Sequence, residues 1–144
     1  MTCIAVRNRV MAADTQMTIG DEKLRVKKLR VLEDGSIFGS AGDASAIDKL
    51  EEWVKAGAPK NKRPRINKEL AIECLVLKPD GTIWFIGTDL VFEQLAAEFM
   101  AIGTGGAYAL GAMARGATAV QAVKIAARFD VNTSEPIDKM ELKQ

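Results

Sequence analysis

The chain has 144 residues, 48% apolar and 27% charged, and its twenty basic and nineteen acidic side chains leave a net charge of +1. That length is enough for one domain spanning 1–144 with a real core, and the charge balance excludes a general pull toward nucleic acid or anionic membrane. No apolar run reaches the roughly 18–20 residues of a membrane span.

The N-terminus has no charged segment leading into a long apolar stretch, so no secretory signal is read. Cys3 and Cys74 form neither a CxxC pair nor a disulfide framework, and a cytoplasmic protein with free thiols is expected. From the N-terminus, Cys3–Arg7 and Val10–Ala13 are short β-compatible runs joined by Asn8-Arg9, which predicts a hairpin. A second pair follows around Lys28–Leu32 and Ser36–Ala41, with Glu33-Asp34-Gly35 as its turn. From Ala44 to Lys55 the spacing becomes helical: Ile47, Leu50, Trp53 and Val54 share a face, Asp43 can cap the start and Gly57 the end.

Pro59 to Lys68 is the one break in composition, polar, basic and punctuated by Pro59 and Pro64, and reads as an exposed loop. Its segment Lys60–Lys68 carries five positive charges but no aromatic residue on which bases would stack, so a solvated loop or a docking element for an acidic partner is expected, not nucleic-acid binding. Ala71–Leu77 and Thr82–Ile86 form the next hairpin around Lys78-Pro79-Asp80-Gly81. Phe92–Ile102 is ambiguous, with a strand favoured at its end. Gly103-Thr104-Gly105-Gly106 then launches a helix over 107–115, and a second runs over 119–129 with Thr118 and Gln121 at capping-box spacing. A closing strand is expected after Val131. This order predicts an α+β domain of two antiparallel sheets with helices packed outside.

The sequence contains no histidine. That removes Ser-His-Asp and Cys-His catalysis and any histidine-ligated metal. An acid–base reaction near neutral pH must then use a shifted lysine, a shifted carboxylate or an α-amino group, whose ordinary pKa is about 7.7–8.0. Thr2 becomes interesting on that ground, because an N-terminal threonine puts a hydroxyl and an amine on one residue. Alone it means little, since threonine is common after an initiator methionine. Asp14 follows an apolar strand, where a carboxylate often only caps a turn. Lys28 shares the period-2 face of Leu24 and Val26, with Lys23, Arg25 and Lys27 opposite, so it is either paired in the interior or bent out to water. The glycine-rich turn at 103–106 lacks the further glycine of a dinucleotide fingerprint, because Tyr108 stands there, and lacks the Gly-Lys-Ser/Thr of a P-loop. No cofactor and no metal site is read.

Together these residues resemble the proteasome β-subunit family, most of all its bacterial HslV branch. The resemblance runs through Thr2-Cys-Ile-Ala-Val6, Ala12-Ala-Asp-Thr-Gln-Met-Thr18, Val26-Lys-Lys-Leu-Arg30, Phe38-Gly-Ser-Ala-Gly42 and Ala101-Ile-Gly-Thr-Gly-Gly106. It implies a four-layer αββα sandwich of the N-terminal nucleophile hydrolase type. It also implies a threonine-type endopeptidase in which Thr2, after removal of Met1, is the nucleophile and its own amine the base. Lys28 would act as a neighbouring ammonium and Asp14 would orient it. The Gly39 N–H would serve as oxyanion donor, Thr104 would hold the amine, and Asp130 with Thr133 would support it. Val26, Ile37 and Ala41 would line the first specificity pocket and favour apolar side chains.

The same resemblance implies protein or peptide substrates, a homo-oligomeric ring and an AAA+ unfoldase as partner, with apolar faces at 107–113 and 119–127 available for contacts. Thr104 stands where the family usually has serine. The first helix layer is shortened, because the proline-containing loop replaces most of its second helix. The alternative is a ring-forming structural or assembly protein of the same fold without turnover, and a small-amide hydrolase of that fold is a third reading.

Overall fold

The computed structural model describes residues 2–143. β1 (Ile4–Arg7) and β2 (Val10–Ala13) form the first hairpin, pairing Ile4 with Ala13 and Arg7 with Val10. Its turn residues Asn8 and Arg9 have φ of 52° and 66°, the left-handed pair that matches the twist of flanking strands. A second hairpin, β3 (Gln16–Ile19) with β4 (Glu22–Arg25), stands apart as a two-stranded sheet. Next come β5 (Leu29–Val31), β6 (Ile37–Gly42) and helix α1 (Ala44–Lys55). After a 3-10 turn at Lys60–Lys62 the chain forms β7 (Ile72–Leu77), β8 (Ile83–Ile86), β9 (Phe92–Leu95) and β10 (Phe99–Ile102). Helices α2 (Gly106–Ala114) and α3 (Ala119–Phe129) follow, and β11 (Asp138–Glu141) closes the chain.

Two antiparallel sheets result, one ordered β10-β1-β2-β11 and the other β5-β6-β7-β8-β9. Alternation along β1 explains their stacking. Ile4 and Val6 point into the layer between the sheets with Met11, Ile37, Leu75, Leu77 and Ile102, all at most 2% exposed. Cys3 and Ala5 point the other way, against α2 and α3. That face is built of small residues, Ala5, Ala12 and Ala101 meeting Ala109, Ala119, Ala122 and Ala126, which brings the helices close to the sheet. On the outer face of the second sheet, Phe38, Cys74, Val76 and Ile86 receive Ala46, Leu50 and Trp53 of α1. The layers therefore run α-β-β-α, the fold class expected from the sequence. No described helix is long and apolar enough to cross a membrane.

Helix α1 begins where expected, with Asp43 accepting from the Ser45 N–H at 2.9 Å. It ends at Gly57, whose φ is +91°. Among the described residues it is the one α-helix on its side: residues 59–67 form only the 3-10 turn, the Trp53 indole N–H donates to the Pro59 carbonyl at 3.0 Å, and Ile66 and Leu70 pack against the same cluster. Thr118 caps α3 with the full reciprocal box to Gln121.

Three expectations change. Phe92–Ile102 ends in the strand favoured there, β10 pairing with β1, but it also holds an earlier strand, β9, that pairs with β8 in the other sheet. The period-2 run 24–28 ends as strand at Arg25, and β4 is exposed throughout. The final strand starts at Asp138, leaving 130–137 as a loop.

Candidate active site

Thr2 precedes β1 and is 2% exposed. The turn after β10 wraps around it: the Gly105 N–H donates to the Thr2 carbonyl at 3.0 Å, and the Thr2 nitrogen lies 3.3 Å from Thr104 Oγ1 as donor. Gly103 must be glycine here. Its φ is +90°, and a Cβ would sit 2.2 Å from the Thr2 carbonyl oxygen.

Asp14 continues the β1–β2 ladder one step beyond Ala13, its N–H donating to the Cys3 carbonyl at 3.1 Å. The ladder register thus sets its carboxylate across from the start of the chain. Asp14 Oδ1 accepts from the Thr2 hydroxyl at 3.1 Å, the Cys3 N–H at 3.0 Å and the Lys28 ammonium at 2.8 Å. Oδ2 accepts from the Gln16 N–H at 3.1 Å and the Ser134 N–H at 3.4 Å. The residue is fully buried, and these donors satisfy it.

Lys28 Nζ also donates to Thr2 Oγ1, so lysine, threonine and aspartate form a closed triangle. The Val26 N–H, donating to the Thr15 carbonyl at 2.8 Å, turns the chain out of the β3–β4 hairpin and toward the site. The Lys28 side chain is 9% exposed. Burial pushes its ammonium below the ordinary lysine range; the Asp14 hydrogen bond and charge oppose that, and Arg25 adds to it. The interior reading of Lys28, paired with a carboxylate, is the one realised.

On the other side of Thr2, Asp130 caps α3. Its Oδ2 accepts from the Thr104 hydroxyl at 2.7 Å and the Thr133 hydroxyl at 2.6 Å, and its Oδ1 from the Asn132 N–H at 3.2 Å. Burial works to raise its pKa, but the bonds from Thr133, Thr104 and Asn132 outweigh it and hold the carboxyl below the usual range. Thr2, Asp14, Lys28, Thr104, Asp130 and Thr133 are therefore brought together.

Gly39 and Ile37 are not, and those two assignments need correcting. The β5–β6 hairpin closes with the Leu32 N–H on the Ser36 carbonyl, and in an antiparallel ladder this alternation turns the amides of Phe38 and Ser40 toward β5. The Gly39 N–H consequently faces Leu75 of β7, and a Cβ on Gly39 would strike Met11 Sδ at 2.7 Å inside the sheet–sheet core. Gly39 is glycine for packing, not as an oxyanion donor. Ile37 lies on the same inward face at 1% exposure, and its accessible edge belongs to a cleft of about 420 Å³ at the β5–β6 turn with Pro79 and Leu142. Ala41 joins that core at 8% exposure, while Val26 is half-buried beside Lys28.

The sequence reading missed Gln16, Ser134 and Arg25. Ser134 and Gln16 donate to Asp14, the Gln16 side chain donates to the Val131 carbonyl at 3.3 Å, and Arg25 donates to Ser134 Oγ at 2.6 Å. Gln16 Oε1 is the one buried side-chain polar atom without a partner among the described residues, a defect costing about 1–3 kcal/mol. Nothing in a lone glutamine marks such a role in sequence. Among the described residues no group of three or more Cys, Asp or Glu is placed to hold a metal ion.

A buried threonine whose hydroxyl meets an ammonium and a carboxylate thus stands just before β1 of an αββα sandwich. The chain has the fold of HslV and the proteasome β type: it superposes on the eukaryotic HslV of Trypanosoma brucei with a TM-score of 0.75 and 23% identity, covering 99% of each chain. The protein BPH of Thiobacillus denitrificans matches at a TM-score of 0.69 and 19% identity over 99% of this chain and 98% of that one. BPH in complex with epoxomicin matches at 0.70 and 20% identity over 99% of both. No family model and no curated protein sequence matches the chain.

Proposed function

We propose that the protein is a threonine-type endopeptidase of the HslV and proteasome β kind, acting through Thr2 once Met1 has been removed. Met1 lies outside the described residues. The observation that carries the reading is the Thr2–Lys28–Asp14 triangle, with the nitrogen of the same threonine held by Thr104 and Asp130. A hydroxyl at an ammonium and an amine at a second carboxylate-backed support are what an N-terminal nucleophile requires.

The chemistry follows from these positions. Thr2 Oγ1 attacks the scissile carbonyl carbon, and its proton passes to the freed α-amine directly or through a water. The Lys28 ammonium, close by, favours the neutral amine and stabilises the developing negative charge. The C–N bond breaks as the α-ammonium returns the proton to the leaving amine, leaving an ester on Thr2. Water, deprotonated by the same amine, then hydrolyses that ester and restores the threonine.

The epoxomicin complex of the BPH protein supports this reading, because an epoxyketone reacts with a hydroxyl and an amine on one residue. Protein or peptide substrates, a homo-oligomeric ring in the cytoplasm and feeding by an AAA+ unfoldase complete the proposal. Exposed Tyr108, Phe129 and Val131 beside Asp130 form the sort of apolar patch a subunit contact covers. Hydrolysis of a panel of fluorogenic peptides is the test. Thr2→Ala should abolish turnover and Lys28→Met should lower kcat about a hundredfold or more. Turnover retained in Thr2→Ala would refute the assignment, and a wild-type chain inert toward every peptide and protein offered would favour the non-catalytic ring former.

A further inference from the structure

The two carboxylates that serve Thr2 sit on different parts of the fold. Asp14, after β2, holds the hydroxyl and Lys28, whereas Asp130, at the end of α3, holds Thr104 and through it the Thr2 nitrogen. A reaction that uses both groups of one residue needs the two supports in fixed register.

Gln16 reaches both sides through a buried side chain, alongside the bonds that Thr15 and Ser134 make between the same segments. The Gln16 N–H donates to Asp14 Oδ2 at 3.1 Å, and Gln16 Nε2 donates to the carbonyl of Val131, the neighbour of Asp130, at 3.3 Å. Nε2 also lies 3.1 Å from Thr18 Oγ1 as donor. From the same loop the Ser134 N–H returns to Asp14 Oδ2. Gln16 is 4% exposed, and its Oε1 is unpartnered. A buried acceptor left unpaired opposes folding, and an apolar side chain of equal length would avoid that cost. The benefit of an amide at this position therefore lies at Nε2.

We infer that Gln16 is a positioning residue: by holding Val131 it sets the Asp130–Thr104 support of the amine against the Asp14–Lys28 support of the hydroxyl. The inference rests on the peptidase reading. Gln16 acts through these neighbours and, being buried, is kept from substrate, so its loss alters the chemical step rather than binding.

The test is the rate of epoxomicin adduct formation, followed by intact mass across a pH series. Gln16→Met keeps the length without the hydrogen bonds. It should lower the maximal inactivation rate about tenfold, with the half-saturating inhibitor concentration unchanged. Gln16→Glu donates to the Val131 carbonyl only while protonated, so its deficit relative to wild type should narrow as pH falls. That ratio decides the matter even if Gln16→Met fails to fold. A wild-type rate in both variants, or a Gln16→Glu deficit that is constant with pH, would overturn the inference. Wild-type protein that takes up no adduct would instead sink the peptidase reading itself, and this inference with it.

Discussion

At the scale of single residues, the site contrasts two polar groups that share a strand end. Thr2 is held by an ammonium and a carboxylate, whereas Cys3, its neighbour, turns into the α2–α3 layer. Burial, with the nearby Asp14 and Asp130 charges, pushes the Cys3 thiol from 9.0 up to about 12, so it stays protonated and unreactive. Burial raises Cys74 to about 12 as well. The sign follows: a thiol pKa raised by folding contributes stability that is complete below 9.0 and is lost as pH climbs toward 12. Iodoacetamide at about pH 8.5 should label both cysteines in denatured protein and neither in native protein, read by mass; rapid labelling of native Cys3 would contradict its burial.

Thr2, Asp14 and Lys28 were legible in the sequence because they fall in short, spaced motifs and because the absence of histidine leaves few other bases. Gln16 was not, because an amide announces no chemistry. Gly39 and Ile37 were misread for a different reason. Ile37-Phe-Gly-Ser-Ala41 is apolar or small throughout, so period-2 alternation cannot say which face turns inward. The register settles it, with Phe38 toward α1 and its odd-numbered neighbours toward the other sheet.

At the scale of elements, caps and turns were the most legible features. Asp43, Gly57 and the Thr118–Gln121 box set helix limits locally, and Asn8-Arg9 sets the first hairpin. What sequence hid was pairing. β9 and β10 form one continuous stretch in sequence, yet the chain crosses between sheets at 96–98. The β3–β4 hairpin is largely exposed on both faces, so the alternation of Met17, Ile19 and Leu24 with polar neighbours marks no core face. The turn after β10 joins element to site most directly. Gly103→Ala places a methyl against the Thr2 carbonyl in a left-handed backbone, and should destabilise the protein by about 2 kcal/mol or more while displacing Thr2. Chemical denaturation and peptide turnover check this together. An unchanged midpoint with unchanged turnover would show that the turn does not set the position of the nucleophile.

At the scale of the molecule, the layers assign each face a different role. The apolar faces of α2 and α3, expected from sequence to be open for subunit contacts, are taken up by the chain's own sheet through Ala109, Met113, Ala122, Val123 and Ala126. The large apolar side chains left exposed on these helices are Tyr108 and Phe129, stacked at 5.6 Å. The opposite face carries one helix and the exposed cations Lys60, Lys62, Arg63, Arg65 and Lys68, so its surface is basic where a second helix was absent from the sequence pattern.

The central claim is that Thr2 becomes a nucleophile with its own amine as base. Native mass spectrometry before and after epoxomicin tests it most directly. The expected result is an assembled particle at a multiple of the 15.6 kDa chain, each subunit lacking Met1 and gaining one adduct that Thr2→Ala does not acquire. Subunits that keep Met1 and take up no inhibitor would contradict it.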